Sequence, residues 1–178
     1  FTTKDLYRQD VDSTILILEK WKAKWQAKGV EKPKMLLLNI SGGGVRSMVF
    51  TFRTMQAIDS TLAGELMHYT PLITGSSGGI ISASYYRQLY LDNNDSLQAA
   101  NLSRKNIYLR NVGKDMLNAI AFKLTVSDIF LNFQNFNDGK YRYVKDRGYA
   151  WESQLNYNLE NVLNKRLGDY KVPEMEAR

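Results

Sequence analysis

Two glycine- and serine-bearing stretches carry the groups in this chain that could do chemistry. The first is Thr74-Gly75-Ser76-Ser77-Gly78-Gly79. Read as G-x-S-x-G, it centres on Ser77, with Gly75 two residues before it and Gly79 two after. A serine at the tip of a sharp strand-to-helix turn has its hydroxyl pushed into the open. Glycines on either side remove the Cβ atoms that would collide there. The helix leaving the turn aims its free N–H groups and positive dipole end at any anion formed beside Ser77. This is the arrangement of a nucleophilic serine. The plainer alternative is a small-residue loop that only turns the chain.

The second stretch is Ser41-Gly42-Gly43-Gly44-Val45-Arg46. Successive glycine N–H groups can point at a developing oxyanion, and Arg46, one turn into the next helix, adds a fixed positive charge. A phosphate-binding nucleotide loop competes with this reading. Gly42-x-Gly44-x-x-Ser47 imitates G-x-G-x-x-G but lacks the last glycine, and no acidic residue follows at the expected place. A Walker loop is excluded because Gly-Lys-Ser/Thr occurs nowhere in the chain.

A serine nucleophile needs a base. The only histidine, His68, precedes Ser77, so the order nucleophile, acid, histidine of α/β-hydrolases cannot be assembled. A Ser-Asp dyad is the simplest arrangement left, and His68 reads as a residue leading into a strand. The absence of cysteine removes disulfides, thiolate metal sites and cysteine nucleophiles. With one histidine, histidine-rich metal sites go too. No metal or cofactor is expected.

The elements that must position these groups follow from patterning. A helix is expected from Asp12 or Ser13 to about Lys28, ended by Gly29, with Leu18, Trp21 and Trp25 on one packing face. Pro33 keeps it from resuming. Met35 to Ile40 is almost continuously apolar and predicts a strand buried on both faces of a parallel sheet. Val45 to about Thr61 predicts a helix with Val45, Val49, Phe52 and Met55 inward. A second strand is expected around Leu66 to Thr74. A helix follows over Ile80 to Tyr90, with Ile81, Tyr85 and Leu89 on one face. This β–α–β–α order implies a parallel sheet whose strand ends bring both glycine turns to one crevice. Further on, helical segments are expected over 96–101 and 103–122, the latter interrupted by Gly113. Asn137-Asp138-Gly139-Lys140 predicts a turn of the kind that joins hairpin strands. A last helix is marked by Trp151, Leu155, Leu159 and Leu163.

These motifs together carry a resemblance. Leu38 to Arg46, paired with Thr74 to Gly79, resembles the patatin-like phospholipase family. The Ser-Gly-Gly-Gly-x-Arg form and the segment Asp146-Arg147-Gly148-Tyr149-Ala150-Trp151-Glu152 are closest to its cytosolic phospholipase A2-like branch. The resemblance implies a three-layer α/β/α fold with a mostly parallel central sheet, incomplete here. It also implies metal-free cleavage of fatty acyl esters of lipids by a Ser-Asp dyad. Carried over, Ser77 would be the nucleophile. Gly43 and Gly44, with Gly78, would form the oxyanion hole, Gly75 and Gly79 would shape the elbow, and Arg46 would match the motif arginine. The family's aspartate stands in a D-G-G/A motif well downstream of the serine. Asp138-Gly139-Lys140 departs from it at the third position, so Asp138 reads as a turn residue. The aspartate is expected past Arg178, and a catalytically incomplete scaffold is the further alternative.

At 178 residues the chain suits one domain. Residues 1–34 read as an N-terminal helix and linker, and 35–178 as the N-terminal part of the hydrolase domain. The net charge of +6 favours anionic partners, and the resemblance implies an acyl-lipid substrate at a membrane surface rather than nucleic acid. No apolar run approaches the ~20 residues that cross a bilayer. A cytoplasmic or peripheral-membrane location is therefore expected. Neither oligomeric state nor headgroup preference is legible.

Overall fold

In a computed structural model of the chain, residues 3–92, 102, 104–129 and 134–170 are described. The first helix, α1 (Lys4–Ala27), starts eight residues earlier than the sequence suggests. Thr3 caps it by accepting the Leu6 N–H at 3.3 Å. Ser13 and Thr14 instead donate back to the carbonyls of Gln9 and Asp10, which satisfies their hydroxyls inside a helix. Only the end of α1 docks. Trp25 is 6 % exposed and stacks on Tyr69 with centroids 4.5 Å apart, and Trp21 Nε1 donates to the His68 carbonyl. Both tryptophans are thus packing residues, as their spacing predicts, whereas Leu18, expected on the same face, is 41 % exposed.

The central unit is β1 (Leu37–Ile40), α2 (Gly44–Thr61), α3 (Leu66–Tyr69), β2 (Leu72–Gly75) and α4 (Ser77–Asp92). The strands are parallel and register Leu37 with Leu72 through Ile40 with Gly75. Helices α2 and α4 pack on each other more extensively than any other pair of described elements. Phe52 meets the rings of Tyr85 and Tyr86, and Ser82 Oγ donates to the Met48 carbonyl at 2.8 Å. The expected inward residues of α2 and α4 lie in or against this core.

The expected three-layer α/β/α fold with a mostly parallel central sheet is not what forms. Among the described residues helices dominate, and the only sheets are the β1–β2 pair and an antiparallel hairpin. The apolar runs around residues 35–40 and 66–74 each give a strand of four residues. Leu66 to Tyr69 takes a helical turn because the buried carboxylate of Asp59 accepts the Leu66 N–H at 2.9 Å. His68 therefore sits on α3 rather than leading directly into the strand. Nor is β1 buried on both faces. Leu38, Ile40 and Ile73 pack against the core, whereas Leu37 and Leu72 are 63 % and 52 % exposed. On that outer face Thr74 Oγ1 donates to Asn39 Oδ1 at 3.2 Å.

Beyond α4 come α5 (Asn106–Val112) and α6 (Leu117–Phe122), separated at Gly113 as expected. A π-helical stretch, Lys123–Asp128, extends α6. The hairpin β3 (Asn135–Asp138) and β4 (Tyr141–Val144) turns at Gly139-Lys140, with Gly139 at φ +58°. Helix α7 (Arg147–Asn158) is capped by Asp146, whose carboxylate accepts the Tyr149 N–H. It ends before Leu163, because Glu160 and Asn161 adopt left-handed backbone. Leu155 and Leu159 join the core. The helix expected at 96–101 lies outside the described residues.

Candidate active site

Both glycine turns sit at the carboxyl ends of adjacent parallel strands, and their backbones interlock. The Ser76 N–H donates to the Ile40 carbonyl at 3.1 Å, carrying the strand ladder one step into the serine turn. Gly75 lies so close to Ile40 that a Cβ there would stand 2.7 Å from its carbonyl oxygen. A Cβ on Gly78 would stand 2.2 Å from the Gly44 oxygen, and one on Gly79 would stand 2.3 Å from the Ser41 oxygen. A Cβ on Gly42 would meet Ser77 Cβ at 3.0 Å. Gly75, Gly78 and Gly79 are thus required by the backbone of β1 and the first glycine turn, whereas Gly44 has open space around it.

Ser77 is the first residue of α4 and has φ +51°, a left-handed conformation that costs a serine of order 1 kcal/mol. Its side chain is exposed, and no hydrogen-bond partner for the hydroxyl is found among the described residues. The strained, outward serine that G-x-S-x-G demands is therefore present.

Gly43 caps α2 with φ +144°, and Gly44, its first residue, has φ +61°. The first N–H groups of α2 and α4 have no partner in their own helices. Neither helix has an acidic residue in its first turn, and Arg46 is exposed beside the glycine turn. Two helix dipoles and a guanidinium make the corner positive, which suits a developing oxyanion or a phosphate. A cleft of about 560 Å³ runs from Ser41, Gly42 and Arg46 along α2 to Ile58, past Leu38, Phe50 and Met55. Ser77 itself does not line it. Gly42, which lines it, is the neighbour of Ser77.

Among the described residues no base is brought to Ser77. Asp138 ends β3 and pairs with Arg166 Nη2, in keeping with a turn role. His68 lies before β2, whereas Ser77 follows it. The imidazole is occupied by Glu65 Oε2 at Nδ1 and by Tyr90 OH at Nε2, the latter at 2.6 Å. Among the described residues no group of His, Asp and Glu could hold a metal ion.

Sequence reasoning missed a buried acid. Asp59 lies inside the core, where Tyr86 OH donates to Oδ2 at 2.6 Å and Leu66 N–H to Oδ1. Burial raises its carboxyl above the usual 3.8, against the pull of both hydrogen bonds. The Tyr86 phenol is also driven upward by burial, and then by the same carboxylate. Its position on the inward face of α2 was the available signal.

No family model, curated protein or solved structure matches the chain.

Proposed function

We propose that the chain is a lipid acyl hydrolase of the patatin-like phospholipase kind, with Ser77 as its nucleophile. The observation that carries this reading is the left-handed, exposed Ser77 at a strand-to-helix corner packed on a second glycine corner. Ser77 Oγ attacks an ester carbonyl and gives up its proton to the aspartate of a Ser-Asp dyad. The aspartate is not among the described carboxylates. The N–H groups of Gly43, Gly44 and Gly78 receive the oxyanion, and Arg46 reinforces the positive field. Collapse of the tetrahedral species expels the lipid alcohol, and water then releases the acid from the acyl-serine.

The neighbouring cleft, largely apolar and lined at one end by Arg46, supports a lipid substrate. Such a groove suits an acyl chain whose ester lies near a phosphate headgroup. The chain's +6 charge favours an anionic membrane surface as the place of contact. Among the described residues no helix is long and apolar enough to cross a membrane.

A fluorophosphonate probe tests the reading directly. The protein with its dyad aspartate present should gain one phosphonyl adduct on Ser77, located by peptide mass spectrometry, and Ser77→Ala should gain none. An unlabelled Ser77 in a folded protein that nucleotides stabilise thermally would replace the hydrolase with a phosphate-binding module.

A further inference from the structure

A second cleft, of about 430 Å³, opens between α2 and the segment leading into α5, lined by Arg53, Gln56, Ala57, Ser60, Arg104 and Asn106. Its described lining carries two guanidiniums, a hydroxyl and two carboxamides, and no carboxylate. Among the described residues neither Arg53 nor Arg104 forms an ion pair with a carboxylate. Two like charges on one recess, with no acid among its described lining, repel each other unless an anion occupies the recess.

The floor is built rather than incidental. Gln56 is fully buried at 0 % exposure. Its Nε2 donates to the carbonyls of Leu102 and Lys105, each at 3.1 Å, and so spends both N–H bonds on the segment that carries Arg104. This fixes the amide orientation and leaves Oε1 toward Arg53, whose Nη1 approaches it at 3.5 Å. One side chain thus ties the Arg104 segment to α2 and orients Arg53. Ser60, Arg104 and Asn106 line the same cleft, and among the described residues none of their side chains has a hydrogen-bond partner.

The geometry points to a binding site for a phosphate monoester in this cleft, held by Arg53 and Arg104, with Gln56 as the positioning residue. Guanidinium forks match the paired oxygens of a phosphate, and a dianion balances two positive charges. The site is separate from the serine corner. Arg53 stands nine residues along α2 from Gly44, about 14 Å at helical rise. It does not rest on the hydrolase reading.

The phosphate can belong to a soluble molecule or to a lipid headgroup, and titration of the full chain separates the two. Inorganic phosphate is titrated calorimetrically, and phosphatidic acid vesicles are compared with phosphatidylcholine vesicles, whose phosphate is a diester, by co-sedimentation. Arg53→Gln and Arg104→Gln should each weaken binding about tenfold or more, and the double variant should abolish it. Arg142→Gln, with the same charge loss on β4, should bind as the parent does. Binding of free phosphate supports a soluble ligand, and binding of phosphatidic acid vesicles alone supports a lipid. The proposal fails if neither binds, or if the double variant binds no more weakly than Arg142→Gln. All these arginines are exposed, so the variants are expected to fold, and a thermal melt verifies it.

Discussion

At the scale of single residues, Ser77 is strained by its backbone and Asp59 is raised by burial. Ser77 adopts φ +51°, which glycine adopts freely. Ser77→Gly should therefore raise stability by about 0.5–1 kcal/mol while abolishing fluorophosphonate labelling. Chemical denaturation beside the labelling assay checks both halves. A lower midpoint would show that the turn does not strain the serine. Asp59 is an acid raised by burial. An acid whose folded value lies above its unfolded value favours folding while protonated. That contribution is present below about pH 4 and is lost as pH rises through the folded value. Asp59→Asn keeps an acceptor for the Leu66 N–H and a hydrogen-bond partner for Tyr86, and has no proton to lose. Denaturation midpoints measured from pH 3 to pH 7 should fall in the parent relative to Asp59→Asn. The slope should be at most about 1.4 kcal/mol per pH unit. Equal slopes would remove Asp59 as the cause.

At the scale of elements, two helix N-termini are brought together by glycines with distinct tasks. Gly78 lets α4 sit on the Gly44 carbonyl, and a methyl group there would stand 2.2 Å from that oxygen. Backbone must then shift, so Gly78→Ala should cost more than about 2 kcal/mol. Gly44 has open space around it and needs only its positive φ. Gly44→Ala should cost about 1 kcal/mol. If the two variants melt alike in urea, the interlock of the turns is not what sets their separation. Helix α1 is attached differently, because Trp25 is its one buried side chain. Trp25→Ala should remove hydrogen-exchange protection from α1 while α2 and α4 keep theirs, since their core lies elsewhere.

At the scale of the whole molecule, the described chain is a helical core, α2 and α4 joined by Val112, Leu155 and Leu159, with a two-stranded parallel ribbon and a separate hairpin rather than a layered sheet. Its outer strand face is apolar in part and open to solvent at Leu37 and Leu72, which are register partners. Replacing both with Thr should shift the denaturation midpoint by less than about 0.5 kcal/mol, as surface substitutions do. Phe52→Ala on the inner side should cost about 3–5 kcal/mol. A large loss from the threonine pair would show that this face is covered in solution.

Local chemistry made much of this legible in advance. The helical span of α2, the break at Gly113, the hairpin turn after Asp138 and the strand–turn–helix contexts of Ser77 and Gly42-Gly43-Gly44 follow from periodicity, turn residues and glycine placement. These depend on neighbours a few positions away. The start of α1 escaped because Thr3 supplies the cap, and the cap-like Ser13 sits inside the helix by donating back to the Gln9 carbonyl. Leu66 to Tyr69 turned helical because a carboxylate seven residues earlier captures the Leu66 N–H, a pairing no pattern announces. The number of strands, the solvent-facing side of β1, the buried acid at Asp59 and the cleft between Arg53 and Arg104 were decided by tertiary structure. Each depends on contacts between residues distant in the chain, and local sequence encodes which groups seek partners but not which partners they find.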